Sequence, residues 1–171
     1  MRVLITRPQA QADAFADELR RIGADVFFFP TIEKRVLEEG ETSRDFPHGR
    51  GTVLFVDDEQ ALVEIGREIL EYLGYQVETL TSSVDALEHF RKQPAVYDLV
   101  ITDLTMPNMT GEKMALEMLK IRPDLPIILC TGYSDYFSEK DIRKLGIRAL
   151  AIKPLVMQDL AETIRTVLDI G

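Results

Sequence analysis

The chain has 171 residues, with 29 acidic against 20 basic side chains and a net charge of −9, a balance that works against a nucleic-acid binder, which needs a basic face to displace counterions. At 46% hydrophobic and 29% charged residues the composition is that of a globular protein, and the length suits one ordinary domain with an appendage. No apolar run nears the ~20 residues of a membrane span and residues 1–7 lack a signal-peptide pattern, so a cytoplasmic protein with no membrane contact is expected.

The first elements in chain order are a strand over 3–6, a helix over 9–22 with Phe15, Leu19 and Ile22 on one face, Gly23, and a strand over 26–29. They form a βαβ unit spanning residues 1–36. Residues 37–52 are rich in Glu, Gly, Ser, Asp and Pro without an apolar period and read as a linker, in which His48 has no evident role. Charge divides unevenly around it: residues 1–50 hold 8 basic and 9 acidic side chains, residues 51–171 hold 12 and 20.

From Val53 onward, strand-length apolar runs alternate with segments of helical period. Strand 53–56 ends on Asp57 and Asp58. A helix follows with Leu62, Ile65, Ile69 and Leu73 on one face, stopped at Gly74. Then come strand 75–80, helix 84–90, strand 99–101 ending at Asp103, helix 112–121, strand 126–131, helix 138–145, strand 147–152 and helix 157–168. Five strands alternating with five helices predict an α/β fold, a doubly wound parallel sheet covered on both faces, because each parallel strand must cross over through a right-handed helical connection. Ligands in such sheets bind beyond the carboxyl ends of the strands. Asp57, Asp58, Asp103, Thr131 and Lys153 all stand there.

Three carboxylates at one rim repel one another unless a cation compensates them or one takes a proton. Magnesium suits the case, since it takes few carboxylates and keeps several waters. Lys153 is expected to add positive charge at the opposite side of the pocket, and Thr131 a hydroxyl. Together they describe a site for a transferring phosphoryl group, with a carboxylate as nucleophile. Helix capping explains an isolated Asp, but neither the doublet nor the distant Thr and Lys.

The series Asp57-Asp58, Asp103-Leu104-Thr105-Met106-Pro107-Asn108-Met109-Thr110-Gly111, Thr131-Gly132 and Lys153-Pro154 resembles the receiver domain of two-component response regulators, with Thr131 placed 28 and Lys153 placed 50 residues after Asp103. The resemblance covers roughly residues 51–171, assigned as a receiver domain over 53–171, and is nearest to the receivers of hybrid histidine kinases. It implies a flavodoxin-like sheet of order 2-1-3-4-5. It implies that Asp103 accepts a phosphoryl group from a phosphohistidine of a histidine kinase or phosphotransfer protein. Asp58, Asp103 and the Thr105 carbonyl would ligate Mg2+, Asp57 would act largely through water, and Thr131 and Lys153 would contact the phosphoryl oxygens. A cis Lys153-Pro154 peptide is implied as well. One departure is Leu150, where the family often has Phe or Tyr; Tyr133 is expected to shape access to the pocket.

Other chemistry-bearing residues receive plainer readings. Cys130, alone in the chain and inside an apolar run, reads as a small buried hydrophobe, and no Cys/His cluster suits zinc. His89, followed by Arg91 and Lys92, reads as a surface residue near a helix end, and Met114 and Met118 as core. An aspartate-nucleophile phosphatase would want a second Asp where Thr105 stands.

Leu4-Ile5-Thr6-Arg7-Pro8, Gly23-Ala24 and Pro30-Thr31-Ile32 resemble the opening strand, helix and strand of uroporphyrinogen-III synthase. Most of that enzyme's fold is absent, so the resemblance implies a chimera rather than synthase activity. The competing reading of the whole chain is accordingly a fused or engineered α/β scaffold without signalling activity. A single βαβ unit cannot cover Phe27, Phe28 and Phe29, so a homodimer through this unit, or by strand exchange, is expected.

Overall fold

A computed structural model describes residues 2–5, 25–28, 49–132 and 139–169. The chain divides into two compact units, Met1–Ser43 and Arg44–Gly171. In the first, strands β1 (Arg2–Ile5) and β2 (Asp25–Phe28) pair in parallel, Arg2 opposite Asp25 through Ile5 opposite Phe28. The expected helix over 9–22 and most of the linker, His48 included, lie outside the described residues.

The second unit contains β3 (Thr52–Val56), α1 (Gln60–Tyr72), β4 (Gln76–Leu80), α2 (Ser83–Lys92), β5 (Leu99–Asp103), α3 (Gly111–Ile121), β6 (Ile127–Thr131), α4 (Glu139–Lys144), β7 (Ala149–Ile152) and α5 (Met157–Asp169). Its five strands are parallel and ordered β4-β3-β5-β6-β7, which is the doubly wound 2-1-3-4-5 arrangement. The last expected linker residues belong to this unit: Gly49 N–H donates to the Leu73 carbonyl, and Thr52 opens β3.

Side-chain alternation along the strands builds two cores. Leu54, Val56, Val100 and Leu129 face α2 and α3, where Phe90, Met114 and Met118 are fully buried. Val53, Phe55, Ile101 and Cys130 face the other way, against Val63 and Leu70 of α1 and Leu160, Ile164 and Val167 of α5. The central strands β5 and β6 are buried at every residue, as expected where helices cover both faces. Edge strand β4 has no buried residue, so the alternation expected over 75–80 does not translate into a buried face.

Helix α1 corrects one detail of the periodicity. Its fully buried stripe is Val63, Gly66 and Leu70; of the expected face Leu73, at the helix end, is fully buried, while Leu62, Ile65 and Ile69 are half-buried. Gly66 is the contact point: a Cβ there would lie 2.6 Å from the Phe55 ring, so the helix packs on the sheet through a residue that an apolar count overlooks. The helix ends as expected, with Gly74 at φ +92°, a left-handed conformation that glycine adopts without cost. Both α2 and α3 start at hydroxyl caps, Ser82 accepting from Asp85 N–H at 3.2 Å and Thr110 from Lys113 N–H at 3.3 Å.

Candidate functional site

Register alone carries the polar residues to one rim. Val56 pairs with Thr102, Asp103 with Cys130, and Thr131 with Ile152, so Asp57, Asp103, Thr131 and Lys153 emerge side by side at the carboxyl ends of β3, β5, β6 and β7. Backbone bonds hold the strand ends: Leu104 N–H donates to the Cys130 carbonyl and Lys153 N–H to the Thr131 carbonyl, both at 2.8 Å. The Lys153–Pro154 peptide is cis.

Asp57 is 1% exposed and Asp103 7%. Each carboxylate accepts one backbone N–H: Asp57 Oδ1 from Glu59 at 3.0 Å, and Asp103 Oδ2 from Thr105 at 2.7 Å. The remaining oxygen of each lies 2.6 Å from Lys153 Nζ. The ammonium therefore sits between the two carboxylates, not across the pocket from them as expected. A long, flexible stem lets a strand-end lysine reach back, and two desolvated carboxylates hold its head there. Burial works against a charged Lys153, but the bonds to Asp103 and Asp57 outweigh it and raise its pKa above the usual lysine value.

The other expected residues are placed less tightly. Asp58 is exposed at the same rim, Thr131 is buried at the end of β6, and Thr105 is exposed with its N–H turned to Asp103. Tyr133 lies outside the described residues. Leu150 is half-buried and packs against the core facing α2 and α3. Cys130 is buried, and burial pushes its thiol up to about 12, as suits an inert hydrophobe. His89 is less free than a plain surface residue: Nε2 lies 3.1 Å from Glu78 Oε1, and Glu78 in turn accepts the Tyr97 hydroxyl.

Three carboxylates against one ammonium leave a surplus of two negative charges, the amount a hard dication neutralises. Among the described residues no three acidic, thiol or imidazole side chains converge as a ready-made metal cage. The donor set fits an ion that takes few protein oxygens and keeps its waters, as magnesium does.

Two residues that the sequence left without a structural role support this rim. The α carbon of Gly111 packs against the end of β5 so closely that a Cβ would lie 1.9 Å from the Asp103 carbonyl oxygen. Ser83, 2% exposed, donates its hydroxyl to the Met109 carbonyl at 2.7 Å. Gly111 was visible as part of its motif, whereas nothing in the pattern around Ser83 distinguishes it from a helix-start serine.

The family model for the response regulator receiver domain matches residues 53–165. The chain belongs to the response regulator receiver family. Among receiver-bearing relatives, it is 35% identical over 123 residues to the two-component response regulator ARR10 of Arabidopsis thaliana, covering 72% of this chain and 22% of that protein. It is 31% identical over 121 residues to the sensor kinase CckA of Brucella abortus, covering 71% of this chain and 13% of the relative. The chain thus spans under a quarter of the length of these two proteins. Of solved receivers, that of Clostridium thermocellum superposes with a TM-score of 0.65 at 31% identity, over 70% of this chain and 94% of that one. The response regulator TrrA of Thermotoga maritima, solved in complex with Mg(2+)-BeF, does so with a TM-score of 0.62 at 33% identity, over 69% and 99%.

Proposed function

We propose that this receiver accepts a phosphoryl group on Asp103 from the phosphohistidine of a histidine kinase or phosphotransfer protein. The observation that carries the reading is the pair of buried carboxylates, Asp57 and Asp103, held 2.6 Å from one ammonium. A carboxylate oxygen of Asp103 attacks phosphorus, the P–N bond breaks, and the leaving imidazole keeps the electron pair and takes up a proton. Lys153, already at Asp103, passes its contact to a phosphoryl oxygen as charge on that carboxylate is lost to the ester. Thr131 offers a hydroxyl to another oxygen from the end of the adjacent strand.

Asp57, Asp58, Asp103 and the Thr105 carbonyl would hold Mg2+. When bound, that ion neutralises negative charge shared by the carboxylates and the incoming phosphoryl group. The Thermotoga relative solved with Mg(2+)-BeF supports this choice of ion.

Incubation with acetyl phosphate and Mg2+, followed by intact mass measurement, tests the assignment. One phosphoryl group is expected on the wild type and none on Asp103→Asn. Unchanged labelling of Asp103→Asn would move the acceptor elsewhere, and an unlabelled wild type would favour the fused-scaffold reading.

A further inference from the structure

Residues 104–110 connect the acceptor strand β5 to α3 and carry the Thr105 N–H that holds Asp103 Oδ2. The base of this loop is closed by Gly111 N–H donating to the Leu104 carbonyl at 3.0 Å. Its tip is less regular. Asn108 has φ +66°, in the left-handed region, and Met109 N–H turns back to the Pro107 carbonyl at 2.7 Å. At that tip the hydroxyl of Ser83, buried in the first turn of α2, donates to the Met109 carbonyl across 26 residues of sequence.

We infer that Ser83 is a positioning residue for phosphoryl acceptance, tethering the tip of the 104–110 loop so that Thr105 stays aimed at Asp103. The inference rests on the reading of Asp103 as acceptor. A residue that is 2% exposed is largely withdrawn from solvent, and its hydroxyl takes the loop carbonyl as its partner at 2.7 Å. Loss of the tether frees the tip to sample other conformations, and the Thr105 amide moves with it. Misplacing a reacting group by about 1 Å costs on the order of 100-fold in rate, so a loosened support should cost about tenfold.

The adjacent serine supplies the control. Ser82 caps α2 through Asp85 N–H and has no bond to the loop, so Ser82→Ala weakens the same helix without touching the tether. The experiment compares wild type, Ser83→Ala, Ser83→Thr and Ser82→Ala. It measures labelling rates with acetyl phosphate and Mg2+, scaled to folded protein from thermal unfolding, and amide hydrogen exchange at Thr105. Ser83→Ala is expected to slow labelling about tenfold and to speed exchange at Thr105, with Ser82→Ala near wild type and the hydroxyl of Ser83→Thr restoring the rate. Equal slowing in Ser83→Ala and Ser82→Ala, or unchanged Thr105 exchange in Ser83→Ala, would overturn the inference and leave Asp103 as acceptor. A wild type that takes no phosphoryl group would overturn both, so the two failures are told apart.

Discussion

Replacing Lys153 with Met keeps an unbranched stem out to Cε and removes the charged nitrogen beyond it. The carboxylate oxygens of Asp57 and Asp103 that meet the ammonium are each 2.6 Å from the same nitrogen, so they are at most about 5 Å apart by geometry alone. Without the ammonium, two unit charges at that separation repel by about 3 kcal/mol at an effective dielectric of about 20. That agrees with the ~3–5 kcal/mol typical of breaking a buried pair by removing one partner. The low end applies, because the Lys153 side chain is 20% exposed and water softens the loss.

Urea unfolding without divalent metal is the assay. At pH 7.5 Lys153→Met should lose about 3 kcal/mol, and adding Asp57→Asn should recover most of it. The sign of the pH dependence follows. In the wild type, Lys153 titrates above its usual 10.5, so its contribution is complete below that value and disappears as pH rises through the folded pKa. Wild type and variant should therefore converge at alkaline pH. A deficit under about 0.5 kcal/mol at pH 7.5, or no recovery with Asp57→Asn, would refute the picture of two desolvated carboxylates sharing one cation.

Gly111→Ala forces a Cβ to within 1.9 Å of the Asp103 carbonyl oxygen, a backbone atom that cannot swing aside. Urea unfolding should report a loss of at least about 2 kcal/mol, whereas Gly132→Ala, with nothing within 4 Å of its added Cβ, should stay within about 0.5 kcal/mol of wild type. Cys130, buried and with its thiol pushed up to about 12, should react with a thiol-specific disulfide reagent at pH 8 on the order of 100-fold more slowly in the native protein than in urea. Equal rates would place the thiol at the surface.

Much of the fold was legible because parallel strands leave few choices. Five apolar runs alternating with helical periods demand right-handed crossovers, and these put every post-strand residue at one rim, so chain order alone gathers Asp57, Asp103, Thr131 and Lys153. The residue types then restricted the chemistry: crowded carboxylates with a lysine suit phosphoryl groups and hard cations. The capping of α1 by Gly74 and the burial of Cys130, Met114 and Met118 were equally readable, since each depends on local conformation or on apolar surface.

Distances between elements were not legible. Periodicity measures which side chains are apolar, so it aimed α1 along Leu62, Ile65, Ile69 and Leu73, of which only Leu73 is fully buried, and missed Gly66, whose value lies in the absence of a side chain against Phe55. Spacing in sequence could bring Lys153 to the rim, but only the rotamer of a long stem among desolvated oxygens decides that its ammonium lies between Asp57 and Asp103. The bond from Ser83 to Met109 likewise joins two segments whose approach is set by the packing of α2 and α3 on the sheet. Chain order determines topology through connectivity and chirality, whereas contacts within a few ångströms depend on how whole faces settle against each other.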